Sequence, residues 1–338
     1  MSVLEPRRYL CHRARSPIEI DGRLNEPAWQ EAPWTEDFVD IEGDRRPKPR
    51  YRTRAKMLWD DEFFYIGAEL EEPNVWATLT EHDSVIFLDN DFEVFLDPDS
   101  DSHLYYELEL NALNTTWDLL LNRPYKDGGT PISNWEMPGL RTAVWIDGTL
   151  NNPLDTDRGW SVEIAIPWTA IMEPRDRPDA SGRPPSTWRP SEGTTWRVNF
   201  SRVEWDVTIE GTKIRKVPDR PEHNWVWSEQ GVIDMHRPEH WGYVQFTLLP
   251  PGQATFQEDP SREARAALHE AYYALQEHRR AHGRWPEALA ELGLNSRLPL
   301  ALHATPNLFE VHCPVMYPDG SRHVWAIRQD ALVWEVSS

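Results

Sequence analysis

Residues 89–111, DNDFEVFLDPDSDSHLYYELELN, alternate in hydropathy with a period of two on both sides of an acidic turn. That period belongs to half-buried strands and not to helices. Phe92, Val94 and Leu96 fall on one face of the first strand, and Tyr106, Leu108 and Leu110 on one face of the second. The other face carries Asp91 and Glu93, then Glu107, Glu109 and Asn111. A turn centred on Asp99–Asp101 sets Glu93 opposite Glu107 and Asp91 opposite Glu109. Like charges directly opposite destabilise a sheet. An arginine, a metal ion, a raised pKa or a hydroxyl-rich ligand must compensate, so the face is read as a ligand-binding site.

The remaining chain bears out a mainly β fold. Up to about residue 255 helical periodicity is scarce, and short alternating runs are separated by Pro, Gly and Asp clusters, the pattern of an antiparallel β-sandwich. Strands are expected at 17–20, 51–59, 63–70, 91–97, 104–111, 115–121, 140–147, 160–166, 195–205 and 242–248. A single-turn helix is expected at 25–32, capped by Asn25, with exposed loops at 173–194 and 206–224. The composition then changes, dividing the chain into a sandwich at 1–250 and a small α+β appendage at 256–338. The appendage has a helix over 261–282 ending at Gly283, a short helix at 286–293, and β-like runs at 307–312, 322–328 and 331–336. Its aromatic residues give it an apolar face suited to docking on the sandwich.

Lys and Arg number 35 against 56 Asp and Glu, a formal net charge of −21 over 338 residues. Such a surface repels polyanions, which argues against nucleic acid and anionic membrane as partners. Eighteen tryptophans suit either sandwich cores or sugar-stacking faces. Cys11 and Cys313, at opposite ends, are expected as free thiols, with one bond between the termini as the alternative. The N-terminal MSVLEPRRYLCHRARSPIEI has no apolar signal core, so the chain as it stands reads as cytoplasmic; a trimmed piece would allow an extracellular or periplasmic origin.

Three constellations could carry chemistry. The acidic hairpin offers carboxylates to ligand hydroxyls, and charge-assisted hydrogen bonds are about twice as strong as neutral ones. Arg54 and Arg202 are the cations expected to meet it, with Trp117 and Trp227 as stacking platforms. Asp97, Asp99 and Asp101 form a D-x-D-x-D turn whose alternate oxygen ligands suit structural Ca²⁺, although the Gly and terminal Glu of an EF-hand are missing. The twelve histidines lack zinc-ligand spacing, and no P-loop, G-x-S-x-G or dinucleotide fingerprint occurs. Paired carboxylates such as Glu93 and Glu107 also admit a glycoside-active enzyme.

Several stretches in order, PIEIDGRLNEPAWQEAPW (17–34), TRAKMLWDDEFFYIGAELEEP (53–73), DNDFEVFLDPD (89–99), GWSVEIAIPW (159–168), WRVNFSRVEW (196–205) and WSEQGVIDMHRPEHWGYVQF (227–246), resemble the family 9 carbohydrate-binding modules. The resemblance covers about residues 10–248. It implies a β-sandwich with structural calcium that binds sugar between two tryptophans, with a glutamate, an arginine and an asparagine bonding its hydroxyls. Glu93 matches that glutamate. The other contact positions depart: Phe87 and Met235 stand at the tryptophans, Val232 at the asparagine and Glu109 at the arginine. The expected function is non-catalytic carbohydrate binding through an acidic and aromatic face; a structural or protein-interaction module that has lost the sugar site is the alternative.

Overall fold

The computed structural model describes residues 4–171, 189–294 and 296–336. The expected loop at 173–194 lies mostly outside the described residues. The chain divides into two compact units. The first comprises residues 1–98, 104–120 and 131–256; the second takes residues 99–103, 121–130 and 257–338.

Among the described residues, the first unit is built on one 13-stranded sheet. Its ten longer strands are, in chain order, β1 (Arg8–Arg13), β2 (Thr53–Trp59), β3 (Phe63–Glu71), β4 (Asp91–Asp97), β5 (Tyr105–Asn111), β6 (Thr116–Leu121), β7 (Arg141–Asp147), β8 (Gly159–Pro167), β9 (Thr195–Glu204) and β10 (Gly242–Thr247). They run across the sheet in the order β6-β5-β4-β9-β10-β1-β2-β3-β8-β7. Both halves of this path feed one apolar cluster: Phe92, Leu108 and Phe200 from one, Met57, Ile66 and Ile164 from the other. The sheet therefore curls over a shared core and closes it as a sandwich. Phe64 of β3 meets Trp196 of β9 edge-on at 6.0 Å, and Trp196 meets Phe246 of β10 at 4.9 Å. Edge-on packing suits the quadrupoles of aromatic rings, so tryptophan serves here as core filler.

The sheet is mixed rather than purely antiparallel. β1 pairs in parallel with both β10 and β2, and it closes the gap between the two halves. The sequence reading did not expect β1, because its apolar positions Tyr9 and Cys11 are flanked by arginines and histidine. The expected strand at 17–20 does not form: Ile18 and Ile20 pack against Leu58 and Tyr65 without joining the ladder. Residues 206–224, expected as a loop, contain a hairpin of Val207–Glu210 and Lys213–Lys216. The short helix is Pro27–Glu31, with Glu26 rather than Asn25 at its N-cap.

In the second unit, a 21-residue helix (Arg262–His282) packs Leu268, Tyr272 and Leu275 against Phe309 and Val311 of Phe309–Met316 and Ile327 of Arg322–Arg328. Gly283 ends the helix at φ 73°, a left-handed conformation open to glycine, and its N–H reaches the Arg279 carbonyl at 2.8 Å. Ala301–Ala304 and Val333–Glu335 complete a four-stranded antiparallel sheet. Residues 286–293 hold only a 3-10 turn, Leu289–Leu292. Cys11 and Cys313 are both buried and free. Among the described residues, no helix is long and apolar enough to cross a membrane.

Candidate functional site

The acidic hairpin is β4 and β5. Leu96 stands opposite Tyr106, which centres the turn on residue 101. Left-handed residues at Ser100, Ser102 and Leu104 lengthen the turn past the expected centre. The pairing consequently differs from expectation: Glu93 faces Glu109, Asp91 faces Asn111, and Glu107 faces Phe95. Two carboxylates directly opposite each other persist, with a different partner.

The burial of this face is the larger surprise. Alternating polar residues suggest solvent exposure, yet Asp91 is 0% exposed, Glu109 2%, and Glu93 and Glu107 5% each. Two of the acids hold backbone in place. Asp91 Oδ1 accepts the Val203 N–H at 3.0 Å, and Glu109 Oε2 accepts the Phe87 N–H at 3.0 Å. The Trp205 indole N–H closes on the Phe87 carbonyl at 2.9 Å, so Phe87 is held from both sides. Ser201 of β9 sits in register beside Glu93. The Lys216 ammonium lies 3.5 Å over the Trp205 ring, and its charge reaches Asp89, Asp91 and Glu222. Asp91 Oδ2 is buried and has no hydrogen-bond partner.

Burial is the first cause that raises the pKa of each acid, because desolvation penalises the charged form. Glu93 is pushed up to about 7. Asp91, Glu107 and Glu109 are pushed well above the carboxylate range, with the charge of Glu93 the next cause in each. Among the described residues, no lysine, arginine or histidine forms an ion pair with these four acids.

The cations expected there are engaged elsewhere. Arg54 of β2 bonds Glu69 at 2.8 and 3.1 Å and stacks on Trp34 at 3.9 Å. Arg202 is fully buried and gives its guanidinium to Glu72 at 2.8 Å, Glu204 at 2.9 Å and Thr53 Oγ1 at 3.0 Å. It follows Val198 and Phe200 on the core side of β9, while Ser201 takes the acidic side. Glu72 is still pushed up to about 8, by burial and then by Glu204, against the pull of Arg202. Asn111 belongs to the turn: its amide donates to Asp89 Oδ2 and the Leu79 carbonyl, and its Oδ1 accepts from Leu113 and Thr115. Trp227 is 0% exposed within the core, so it offers no platform. Trp117 is half-buried on β6. Leu120 of the same strand points into the core, so Trp117 lies on the opposite face. β6 is the strand next to β5, and the turn between them is closed by the Asn111 N–H on the Thr115 carbonyl at 3.2 Å.

Trp205 and Lys216 were missed as neighbours of this face. Lys216 lies in a segment whose polarity hid a hairpin, whereas Ser201 was legible from its place on the polar side of β9. Of the expected calcium turn, Asp97 ends β4 in the first unit, while Asp99 and Asp101 fall in the second. Asp101 Oδ1 accepts the His103 N–H at 2.8 Å, and Asp99 Oδ1 the Asp101 N–H at 3.4 Å. A cleft of about 720 Å³ on the β2–β3–β8 side, lined by Tyr51, Glu69 and Trp145, does not include the acidic hairpin.

Residues 20–182 match the family described as carbohydrate family 9 binding domain-like. The match falls within the segment whose motifs carry the resemblance to the family 9 carbohydrate-binding modules. The chain is 32% identical over 120 residues to "Exoglucanase XynX" of Acetivibrio thermocellus, which covers 35% of this chain and 9% of that protein. It is 31% identical over 119 residues to "Endo-1,4-beta-xylanase A" of Thermoanaerobacterium saccharolyticum, covering 34% and 8%. The chain thus aligns with less than a tenth of these relatives' length. A solved family 9 carbohydrate-binding module from Caldicellulosiruptor kristjanssonii, in complex with cellotriose, is similar at 15% identity and a TM-score of 0.46, over 75% of this chain and 100% of that one.

Proposed function

We propose that this chain is a non-catalytic carbohydrate-binding protein, and that its ligand meets the acidic hairpin at a rim formed by Phe87 and Trp117. The observation that carries this reading is half-buried Trp117 on β6, the strand next to the β5 that bears buried Glu109, within a segment matching a carbohydrate-binding family. Sugar rings present apolar C–H faces that stack on indole, and hydroxyl edges that donate to carboxylates. Of the family's sugar contacts, only the glutamate is kept, at Glu93; the stacking surface therefore has to come from Trp117 and from Phe87, which is 37% exposed. One face of the Trp205 ring is covered by Lys216, so Trp205 supports Phe87.

The relatives named exoglucanase and endo-1,4-beta-xylanase make β-1,4-linked gluco- and xylo-oligosaccharides the first ligands to titrate. By calorimetry, Trp117→Ala should weaken binding at least tenfold while leaving the melting temperature within a few degrees, because the side chain is only half-buried. Equal affinity in Trp117→Ala and Glu93→Ala would remove this face from the reading. Failure of the wild type against every sugar class would favour an interaction module.

A further inference from the structure

We propose that His82, Asp83, Asp118 and Glu136 form a binding site for zinc. Asp118 lies on β6, His82 and Asp83 in the connection from β3 to β4, and Glu136 in the connection from β6 to β7. His82, Asp83 and Asp118 each offer a ligand atom, and these atoms all lie within 4.8 Å of one another. From the His82 Nε2, the oxygens stand at 3.2 Å on Glu136, 3.4 Å on Asp83 and 3.8 Å on Asp118. Zinc holds nitrogen and oxygen ligands at about 2.0–2.2 Å, so ligand atoms around a tetrahedral ion stand about 3.4 Å apart. The observed spacing brackets that value, and one nitrogen with three oxygens completes a tetrahedral set.

Two further observations point to a metal ion rather than to an ordinary ion pair. The His82 Nδ1 lies 2.9 Å from the Thr116 carbonyl, which also accepts the Asp83 N–H at 3.0 Å. A ring that donates its Nδ1–H in this way turns its Nε2 lone pair to the carboxylates, the arrangement that orients metal-ligating histidines. The second observation is Asp118, which is 2% exposed. Its Oδ2 accepts the Met137 N–H, but among the described residues no donor bonds its Oδ1, and His82 Nε2 at 3.8 Å is beyond hydrogen-bond range. A buried carboxylate oxygen left unmatched is costly. Among the described residues no lysine or arginine pairs with Asp83, Asp118 or Glu136, and a single imidazolium could neutralise only one of the three. The imidazole donor favours zinc over calcium, which takes oxygen ligands.

The site shares no residue with the acidic hairpin or its rim and goes beyond the carbohydrate reading, because zinc binding is read directly and without sugar. The full-length protein, stripped with EDTA and dialysed, is titrated with ZnCl₂ by calorimetry, alone and with CaCl₂ in large excess. Its melting temperature is followed with and without zinc. The wild type should bind zinc with an affinity that calcium leaves unchanged, and melt several degrees higher in its presence. His82→Ala and Asp118→Asn should each weaken zinc binding at least tenfold and abolish that rise. His82 is exposed, and in Asp118→Asn the amide oxygen can still accept the Met137 N–H, so both variants should fold. His282→Ala, which breaks the stacked His278–His282 pair on the long helix, should keep the binding. The proposal is overturned if the wild type takes no zinc, if excess calcium displaces it, if His82→Ala and Asp118→Asn bind like the wild type, or if His282→Ala alone loses the ion.

Discussion

At the scale of single residues, environment decides charge. His236 packs against Phe95 edge-on at 5.8 Å, and Tyr105 Oη lies 2.9 Å from its Nδ1, the arrangement in which a neutral imidazole accepts the phenol proton. Burial brings its pKa down to about 4, against a weaker upward pull from Asp234. The unfolded ring protonates near 6.5, so between about 6.5 and 4 the unfolded chain binds more protons than the folded one. Stability therefore falls as pH drops through that window, by up to roughly 3 kcal/mol from this group. The buried acids with raised pKa values act in the opposite direction over the same window and are common to the wild type and a His236→Gln variant, so the histidine is read by difference. In urea unfolding at pH 7.5 and 4.5, His236→Gln, which lacks the titrating ring, should change more favourably on acidification than the wild type. An unchanged pH slope in that variant would mean that the ring is charged in the fold. His236 was one of twelve histidines in the sequence, and nothing local marked it: its neutrality comes from rings contributed by β4 and β5.

At the scale of elements, the hairpin shows how period and burial separate. Alternation in DFEVFLD and YYELELN gave the two strands and the side on which each acid falls. It gave neither the register, which moved with three left-handed turn residues, nor the cover over the polar face. β9 teaches the same lesson through Arg202, whose local sequence fits either face. The fold places it on the core side, where it ties β9 to Thr53 of β2 and to the Glu71 carbonyl and Glu72 at the end of β3. Removing one partner of a buried ion pair strands the other charge and typically costs about 3–5 kcal/mol. Arg202→Met should lose stability on that scale in chemical denaturation, because Glu72 and Glu204 remain buried. A loss below about 1 kcal/mol would show that the two acids accept protons at little cost in the fold.

At the scale of the whole molecule, the net charge of −21 acts on every element at once. Self-repulsion destabilises a compact state, and salt screens exposed charges beyond about 10 Å at 0.1 M. Raising NaCl from 0.01 to 0.3 M should increase the melting temperature by a few degrees in both wild type and Asp91→Asn. A melting temperature that falls with salt would mean that surface ion pairs outweigh the net repulsion.

The sequence by itself determined the strands with clean alternation, the change of character after residue 255, the long helix with its glycine stop, and the motifs of residues 20–182. These are local properties, set by side-chain period and backbone preference within a few residues. Tertiary structure alone decided that β1 enters in parallel, that Arg54 and Arg202 serve other carboxylates, and that Trp227 is core. Each depends on which strand lies alongside, a contact made across many residues of chain. The same holds for the acidic face: its residues were legible, but its burial depends on distant segments, such as those that bring the Phe87 N–H to Glu109 and the Val203 N–H to Asp91.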